Sequence, residues 1–377
     1  MPRTLFSPEH EQFRDTARRF MENEVAPRLA EWEANGTFDR AIFERAGTAG
    51  LLCPTVPEAY GGAQADILCS MIVLEEGAGH GNFGLAFSMH SDIVTSYLLR
   101  FASEAQKREW LPRMVRGEAI GALAMTEPSG GSDVKAIRTV AVRDGDDYLL
   151  SGSKTFITNA TVCDLVIVVA KTDPAAGARG ISLFLVDMTL PGITRGRPLR
   201  KVGLKAQDTG ELFFDRVRVP ASALLGEVDR GFGLLMEELP WERLQLAVSA
   251  VAACEAAYAQ TVAYVRDRRA FGQAVGDFQN TRFVLADLKT EIAIGRVFVD
   301  HCMAACLRRE LDTQTASMAK LWCSELQARV MDACVQLHGG NGFMAEYAVA
   351  RAWVDARAQR IYGGTNEIMR ELISRQL

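Results

Sequence analysis

The sequence predicts an α+β fold in three consecutive parts: a helical part over 1–118, a β part over 119–228 and a second helical part over 229–377. Three observations carry this reading. Up to about Arg116, apolar residues recur every three to four positions, the period of amphipathic helices. Between Gly121 and Gly226 the pattern changes to short β-branched runs bounded by Gly, Asp, Asn or Pro, as strands and hairpins require. From Gly231 the helical period returns in long segments. This order is not the regular strand–helix alternation of a doubly wound sheet.

Taken in order, the first part shows its period in Phe13, Ala17 and Phe20, and again in Leu68, Ile72, Glu75 and Glu76. Turns separate these helices at Pro54 to Pro57 and at Tyr60-Gly61-Gly62. The β part contains five runs: Thr139 to Val142, Tyr148 to Leu150, Leu165 to Ala170, Ile181 to Val186 and Glu211 to Val219. The last part breaks near Gly272, at Gly339-Gly340-Asn341-Gly342 and at Gly363-Gly364. Its stretch Leu246 to Val265 is apolar enough to test as a membrane span. Glu255 and Gln260 lie inside it and Arg266-Asp267-Arg268-Arg269 follow at once, so it reads as a core helix.

Composition narrows the function. With 48% hydrophobic and 24% charged residues the chain is an ordinary globular protein. Its 42 Lys and Arg are scattered against 47 Asp and Glu, for a net charge of −5, which excludes a concentrated phosphate-binding surface and hence nucleic acid as a partner. The eight cysteines form no CxxC pair; Cys302 and Cys306 lie one turn apart beside His301 but lack the further ligand of a zinc site, so they read as buried thiols. No secretory signal is evident in Met1 to Phe20. No GxxxxGK[ST], no strand-linked GxGxxG and no GxSxG elbow occurs, and Gly231-Phe232-Gly233 lacks the third glycine. A nucleotide cofactor would therefore be held by scattered contacts.

Four segments carry residue types suited to chemistry. In Met125-Thr126-Glu127-Pro128-Ser129-Gly130-Gly131-Ser132-Asp133, paired glycines bare the backbone amides and Thr126 and Ser132 add hydroxyls; a plain Pro-Ser-Gly-Gly turn is the alternative. In Phe156-Ile157-Thr158-Asn159, an aromatic ring and a hydroxyl two residues apart share a strand face, suiting a flat ring or an ordinary sheet face. Glu242 falls at helical spacing with Leu235, Leu239 and Leu246. That spacing sets a carboxylate in an apolar stripe, where burial raises its pKa toward that of a general base. If Pro240 instead opens the helix, Glu242 serves the first turn and its dipole. In Ile361-Tyr362-Gly363-Gly364-Thr365-Asn366-Glu367, two glycines precede a helix start whose free amides face a ligand, or Thr365 caps a simple turn.

These segments, in this order, together with Arg268-Arg269-Ala270-Phe271-Gly272 and Gln336-Leu337-His338-Gly339-Gly340, resemble the acyl-CoA dehydrogenase family over nearly the whole chain from Ser7-Pro8-Glu9 onward. The resemblance is closest to the family's long-chain branch, through Glu238-Leu239-Pro240-Trp241-Glu242-Arg243-Leu244, Gly203-Leu204-Lys205-Ala206-Gln207-Asp208-Thr209 and His90-Ser91-Asp92-Ile93-Val94. It implies an N-terminal helical domain, a middle β-barrel or sandwich domain, a C-terminal four-helix bundle, FAD as cofactor and a homotetramer. It implies flavin-ring contacts from Leu123, Met125, Thr126, Gly131, Ser132, Phe156, Ile157 and Thr158. Dinucleotide contacts, largely across a subunit boundary, fall to Arg268, Phe271, Gln279, Gln336, Gly339 and Gly340, with Thr365, Asn366 and Glu367 closing over the cofactor.

Most family members carry the catalytic glutamate directly after the tyrosine matching Tyr362, where this chain has Gly363. In the long-chain and isovaleryl branches the base matches Glu242, which makes the apolar-stripe reading the stronger one. The resemblance then implies α,β-dehydrogenation of a long-chain or branched acyl-CoA to the trans-2-enoyl-CoA, with Glu242 taking the α-proton and the hydride passing to flavin N5. The thioester oxygen would be held by a flavin ribityl hydroxyl and the Gly363 amide. Ser132, Gly180, Gly363 and Gly364 would line the substrate path, Arg243 would help anchor CoA, and electron-transfer flavoprotein would accept the electrons. An acyl-CoA oxidase, a dehydrogenase of modified acyl-CoA and a catalytically silent flavin-binding protein are the alternatives. Pocket depth is expected to depend on Leu74 to Gly81, Phe87 to Val94 and Trp241. A bacterial cytoplasmic location, or the mitochondrial matrix for a mature eukaryotic form, is the expected setting.

Overall fold

The structure, a computed structural model, describes residues 3–79 and 86–375. Helix α1 (Pro8–Phe20) starts where its chemistry demands: the Ser7 hydroxyl accepts the His10 amide, His10 Nδ1 accepts the Ser7 amide, and Pro8 occupies the first helical position. Helices α2 (Leu29–Asn35), α3 (Ala41–Thr48), α4 (Ile67–Gly79), α5 (Thr95–Phe101) and α6 (Glu104–Val115) follow. Apolar residues ring α4, which packs between α1 and the long C-terminal helix α7 (Gly231–Asp267).

The β part contains β1 (Gly121–Ala124), β2 (Val140–Asp144), β3 (Asp147–Thr158), β4 (Leu165–Lys171), β5 (Ile181–Asp187), β6 (Ile193–Arg195), β7 (Thr209–Pro220) and β8 (Leu224–Leu225). They form one continuous eight-stranded sheet in the order β6-β7-β3-β2-β4-β5-β8, with β1 parallel to β4. All five expected runs coincide with strands, the first beginning one residue early at Thr139. The sequence reading missed β1, β6 and β8, which are too short to display a period. Alternation explains why β4 and β5 are apolar throughout. Leu165, Ile167, Val169, Leu183 and Leu185 join the core under the N-terminal helices, whereas Val166, Val168, Phe184 and Val186 meet Leu150, Phe214 and Val217 in a second core inside the sheet.

After α7 come a short hairpin of β9 (Arg269–Ala270) and β10 (Gln273–Ala274), then α8 (Gln279–Leu307), α9 (Thr313–His338), α10 (Ala348–Ala356) and α11 (Asn366–Ser374). α7, α8 and α9 pack on one another, and α10 and α11 pack on α9. Among the described residues α7 is the one helix long and apolar enough to cross a membrane. Its residues from Ala247 to Cys254 are buried, and it packs against α4, α8 and α9, as a core helix does. Cys302 and Cys323 lie in the same apolar cluster as Val248, Val251 and Val299, while His301 is exposed.

An ionic knot ties the two helical parts together. Buried Glu75 on α4 accepts hydrogen bonds from Arg3 at 2.9 Å, Arg14 at 2.8 Å and Arg296 of α8 at 2.6 Å. Burial alone would raise this carboxyl, but the three guanidinium groups override it and hold it at about 2.

Candidate active site

Pro240 lies inside α7, not at its start, so the helix-opening alternative for Glu242 does not hold. The helix runs through the proline, forgoing one backbone bond, and carries Glu242 into the interior, where it is 9% exposed. Its Oε1 accepts a hydrogen bond of 3.2 Å from the hydroxyl of Tyr97, a fully buried residue of α5. Burial, followed by the negative charge of Glu238 one turn earlier, pushes the Glu242 carboxyl up to about 7. Glu238 is itself buried, accepting from Ser96 Oγ at 2.6 Å and from Arg100. A carboxylate at this pKa is half ionised near neutrality and can exchange a proton there. Removing the Tyr97 hydroxyl withdraws the donor that favours the charged form. Tyr97→Phe is therefore expected to move any ionisation read out through Glu242 upward by about one pH unit, measured as the limb of the kcat/KM profile; an unmoved limb would exclude this contact with Glu242.

The glycine pair reaches the same helix. Gly363 and Gly364 adopt φ of +64° and +89°, and a Cβ at position 363 would lie 2.3 Å from Leu246 Cδ1. Leu246 sits one turn beyond Glu242, so it fills the space that a side chain at 363 would need, next to the carboxylate. Arg243 is buried; its Nη1 donates to Ser317 Oγ at 3.4 Å, its Nε has no partner among the described residues, and its Nη2 lies 4.0 Å from a Cβ at Gly364. Thr365 caps α11 by accepting the Ile368 amide, so the capped turn and the open glycine loop coexist. Asn366 is buried on Ser324 of α9 and Glu325, while Glu367 is exposed.

The first two segments are also joined. The Thr155 amide donates to the Thr126 carbonyl at 2.9 Å, and Lys154 Nζ bonds Glu127 Oε1 at 2.8 Å and the Met125 carbonyl at 3.1 Å, with both charged side chains buried. Glu127 and Gly130 exchange backbone bonds, so the turn expected as the plain alternative is present. Beside it Gly131 and Ser132 are exposed. The shared face expected for Phe156 and Thr158 is interrupted. A bulge between Lys154 and Ile157 sets Phe156 at φ +57°, turning its ring outward to 68% exposure while Ile157 is buried and Thr158 Oγ1 accepts from Gln207. Leu123 on β1 is buried in the core that includes the N-terminal helices.

The remaining residues lie elsewhere. Gly180 is enclosed: a Cβ there would meet the Asp173 carbonyl at 1.9 Å, which gives its glycine a packing reason. Phe271 and Gly272, both at positive φ, form the two-residue loop of the β9–β10 hairpin, and Phe271 is 96% exposed. Arg268, Gln279, Gln336, Gly339 and Gly340 are exposed as well. Trp241 donates from Nε1 to the Asp92 carbonyl at 2.9 Å, fixing one wall beside Glu242. Of the expected pocket segment Leu74 to Gly81, His80 and Gly81 lie outside the described residues.

Sequence models of the acyl-CoA dehydrogenase N-terminal, middle and C-terminal domains match residues 7–118, 122–217 and 229–377. The chain belongs to the acyl-CoA dehydrogenase family. It is 52% identical over its full length to the mitochondrial long-chain specific acyl-CoA dehydrogenase of Sus scrofa, covering 88% of that protein. The crystal structure of an acyl-CoA dehydrogenase from Geobacillus kaustophilus superposes with a TM-score of 0.98 at 46% identity, covering 100% of this chain and 99% of that one. A glutaryl-CoA dehydrogenase from Mycobacterium smegmatis in complex with FADH2 matches with a TM-score of 0.93 at 29% identity, over 99% and 95% of the two chains. This acyl-CoA dehydrogenase is accordingly an oxidoreductase with the family's helical, sheet and helical domains. Sequence reasoning did not find Tyr97, the buried Glu238 or the Lys154–Glu127 pair. The available signal was charge at positions of helical or strand period, as with Glu238 one turn before Glu242.

Proposed function

We propose that this acyl-CoA dehydrogenase oxidises long-chain or branched acyl-CoA thioesters to trans-2-enoyl-CoA with Glu242 as the base that removes the α-proton. The observation that carries this is a buried carboxylate near pKa 7, bonded to Tyr97 and lying one turn from the leucine that packs on Gly363. The Cα–H of a thioester is far too weak an acid for an ordinary carboxylate. The base therefore needs a donor for the developing enolate oxygen, and the Gly363 amide would supply it without a side chain. Burial keeps water from competing for the Glu242 proton, and Arg243 would hold the anionic CoA portion.

The residues present fit FAD. A Cβ at Gly131 meets nothing nearer than 4.0 Å and one at Gly339 or Gly340 meets nothing within 4 Å, leaving room for close approach of a ligand. Phe156 and Phe271 present bare aromatic faces, the Met125–Ser132 segment offers hydroxyls and amides, and Arg268 offers a cation for a diphosphate. When bound, FAD supplies the acceptor for the hydride leaving Cβ. The exposure of Arg268, Phe271, Gln279, Gln336, Gly339 and Gly340 supports cofactor contacts across a subunit boundary, hence the homotetramer. Electron-transfer flavoprotein would reoxidise the enzyme. The free, mostly buried thiols support a reducing compartment such as the bacterial cytoplasm.

The reading is tested by kcat/KM across short, medium, long and branched acyl-CoA thioesters, with electron-transfer flavoprotein and with oxygen as acceptors. Long-chain substrates should exceed short ones by about tenfold or more. A maximum at short chains, or oxygen matching the flavoprotein, would overturn the substrate or acceptor assignment.

A further inference from the structure

Lys320 lies midway along α9 with its side chain fully buried. Its ammonium Nζ donates to the carbonyl of Gly364 at 2.8 Å and to Asn366 Oδ1 at 2.8 Å. Among the described residues it has no carboxylate within ion-pair distance; Arg243 adds a like charge nearby, offset in part by the more distant carboxylates of Glu367 and Glu325. Burying an ammonium against a carbonyl and an amide is costly. A helix–loop contact of purely structural purpose would be served by a neutral donor. The acceptor is the informative part. Gly363 and Gly364, both at positive φ and without side chains, have little of their own to fix their peptide planes. On one side Leu246 closes the space at Gly363; on the other, Lys320 and the buried Asn366, itself bonded to Ser324 at 3.0 Å, hold the chain. The loop is thus fixed from two helices, at Gly363 by Leu246 and at Gly364 by Lys320.

We propose that Lys320 is a positioning residue for the reaction: its ammonium anchors the Gly364 carbonyl and thereby aims the Gly363 amide at the thioester oxygen. This rests on the base and oxyanion reading above and adds the group that makes the glycine loop rigid enough to serve it. Lys320 touches no reacting atom. Its loss should therefore lower the rate of the chemical step while leaving substrate affinity nearly intact, because the bond from the Gly363 amide strengthens as the enolate charge develops.

The test uses the flavin-loaded enzyme and Lys320→Met, with Lys320→Gln as the variant that keeps a neutral donor. Hydrogen exchange over residues 361–368 reads the anchoring. Anaerobic single-turnover bleaching by a long-chain acyl-CoA reads the chemistry, its limiting rate separated from the apparent Kd. Lys320→Met should exchange faster over that segment and bleach at least tenfold more slowly with Kd within twofold, and Lys320→Gln should recover part of both. Unchanged exchange would overturn the anchoring, and faster exchange with an unchanged limiting rate would overturn its role in the reaction. A parallel loss of flavin content, substrate affinity and rate in both variants would make Lys320 merely structural. If the unsubstituted enzyme is not bleached by any acyl-CoA, the proposed function fails, and the exchange result still decides the anchoring.

Discussion

Glu242→Gln should fold, bind flavin and fail to bleach when mixed anaerobically with long-chain acyl-CoA, with the reduction rate down by about 10²–10⁴, or roughly 3–5 kcal/mol of barrier. The amide preserves the shape of the side chain and its acceptor for the Tyr97 hydroxyl, so the loss isolates the proton transfer. Stability should move the other way. The carboxyl is raised by burial from its ordinary value to about 7, so the folded state holds its proton where the unfolded chain has released it. This group therefore opposes folding progressively from about pH 4.5 to 7 and by a constant amount above, on the order of 3 kcal/mol. Gln removes that penalty, and Tm at pH 8 should be unchanged or higher. In the unsubstituted enzyme kcat/KM should rise with pH through about 7 and then level, as a base that must be ionised requires. Normal bleaching by Glu242→Gln would eliminate the base assignment, and a glutamine variant that is both inactive and less stable would point to a structural role.

The second large effect is expected at Lys154. Its buried ammonium bridges Glu127 and the Met125 carbonyl, and Glu127 also accepts the Arg138 and Thr139 amides. Burial works to raise the Glu127 carboxyl, and Lys154 with the two amides outweighs it, holding the group below its ordinary value. Lys154→Met leaves that carboxylate buried without its cation, which costs about 3–5 kcal/mol. The damage should appear as a lower Tm together with reduced flavin content, because the pair joins the Thr126 segment to the bulge that turns Phe156 outward. Adding Glu127→Gln to Lys154→Met should restore a large part of the stability, since a neutral pair no longer buries a lone charge. No recovery in the double variant would show that packing of the lysine stem, rather than charge, holds the segment.

Several features of the site were readable because they are local. The apolar stripe around Glu242 needs only helical spacing within one helix, and the glycine pair before Thr365 announces a loop feeding a capped helix. The same reasoning left two outcomes open at Glu242, because a proline either opens a helix or interrupts one. Packing of α7 against α4 and α9 decided it, by making the longer helix worth the lost backbone bond. At Phe156 the two-residue alternation of a strand misled, since a bulge changes which face a residue takes and leaves no trace in composition.

The sequence by itself determined the three-part order of helices, sheet and helices, the family, and the carboxylate that occupies the apolar stripe, because each is written in periodicity or in contiguous motifs. Only the tertiary structure decided what surrounds that carboxylate. Tyr97 is 145 residues from Glu242 in the chain, and Lys320 is 44 residues from Gly364. Their meeting depends on how α5, α7 and α9 pack, and so does the burial that raises Glu242. Desolvation and a hydrogen bond between distant residues are properties of the packed interior and have no local pattern in the chain.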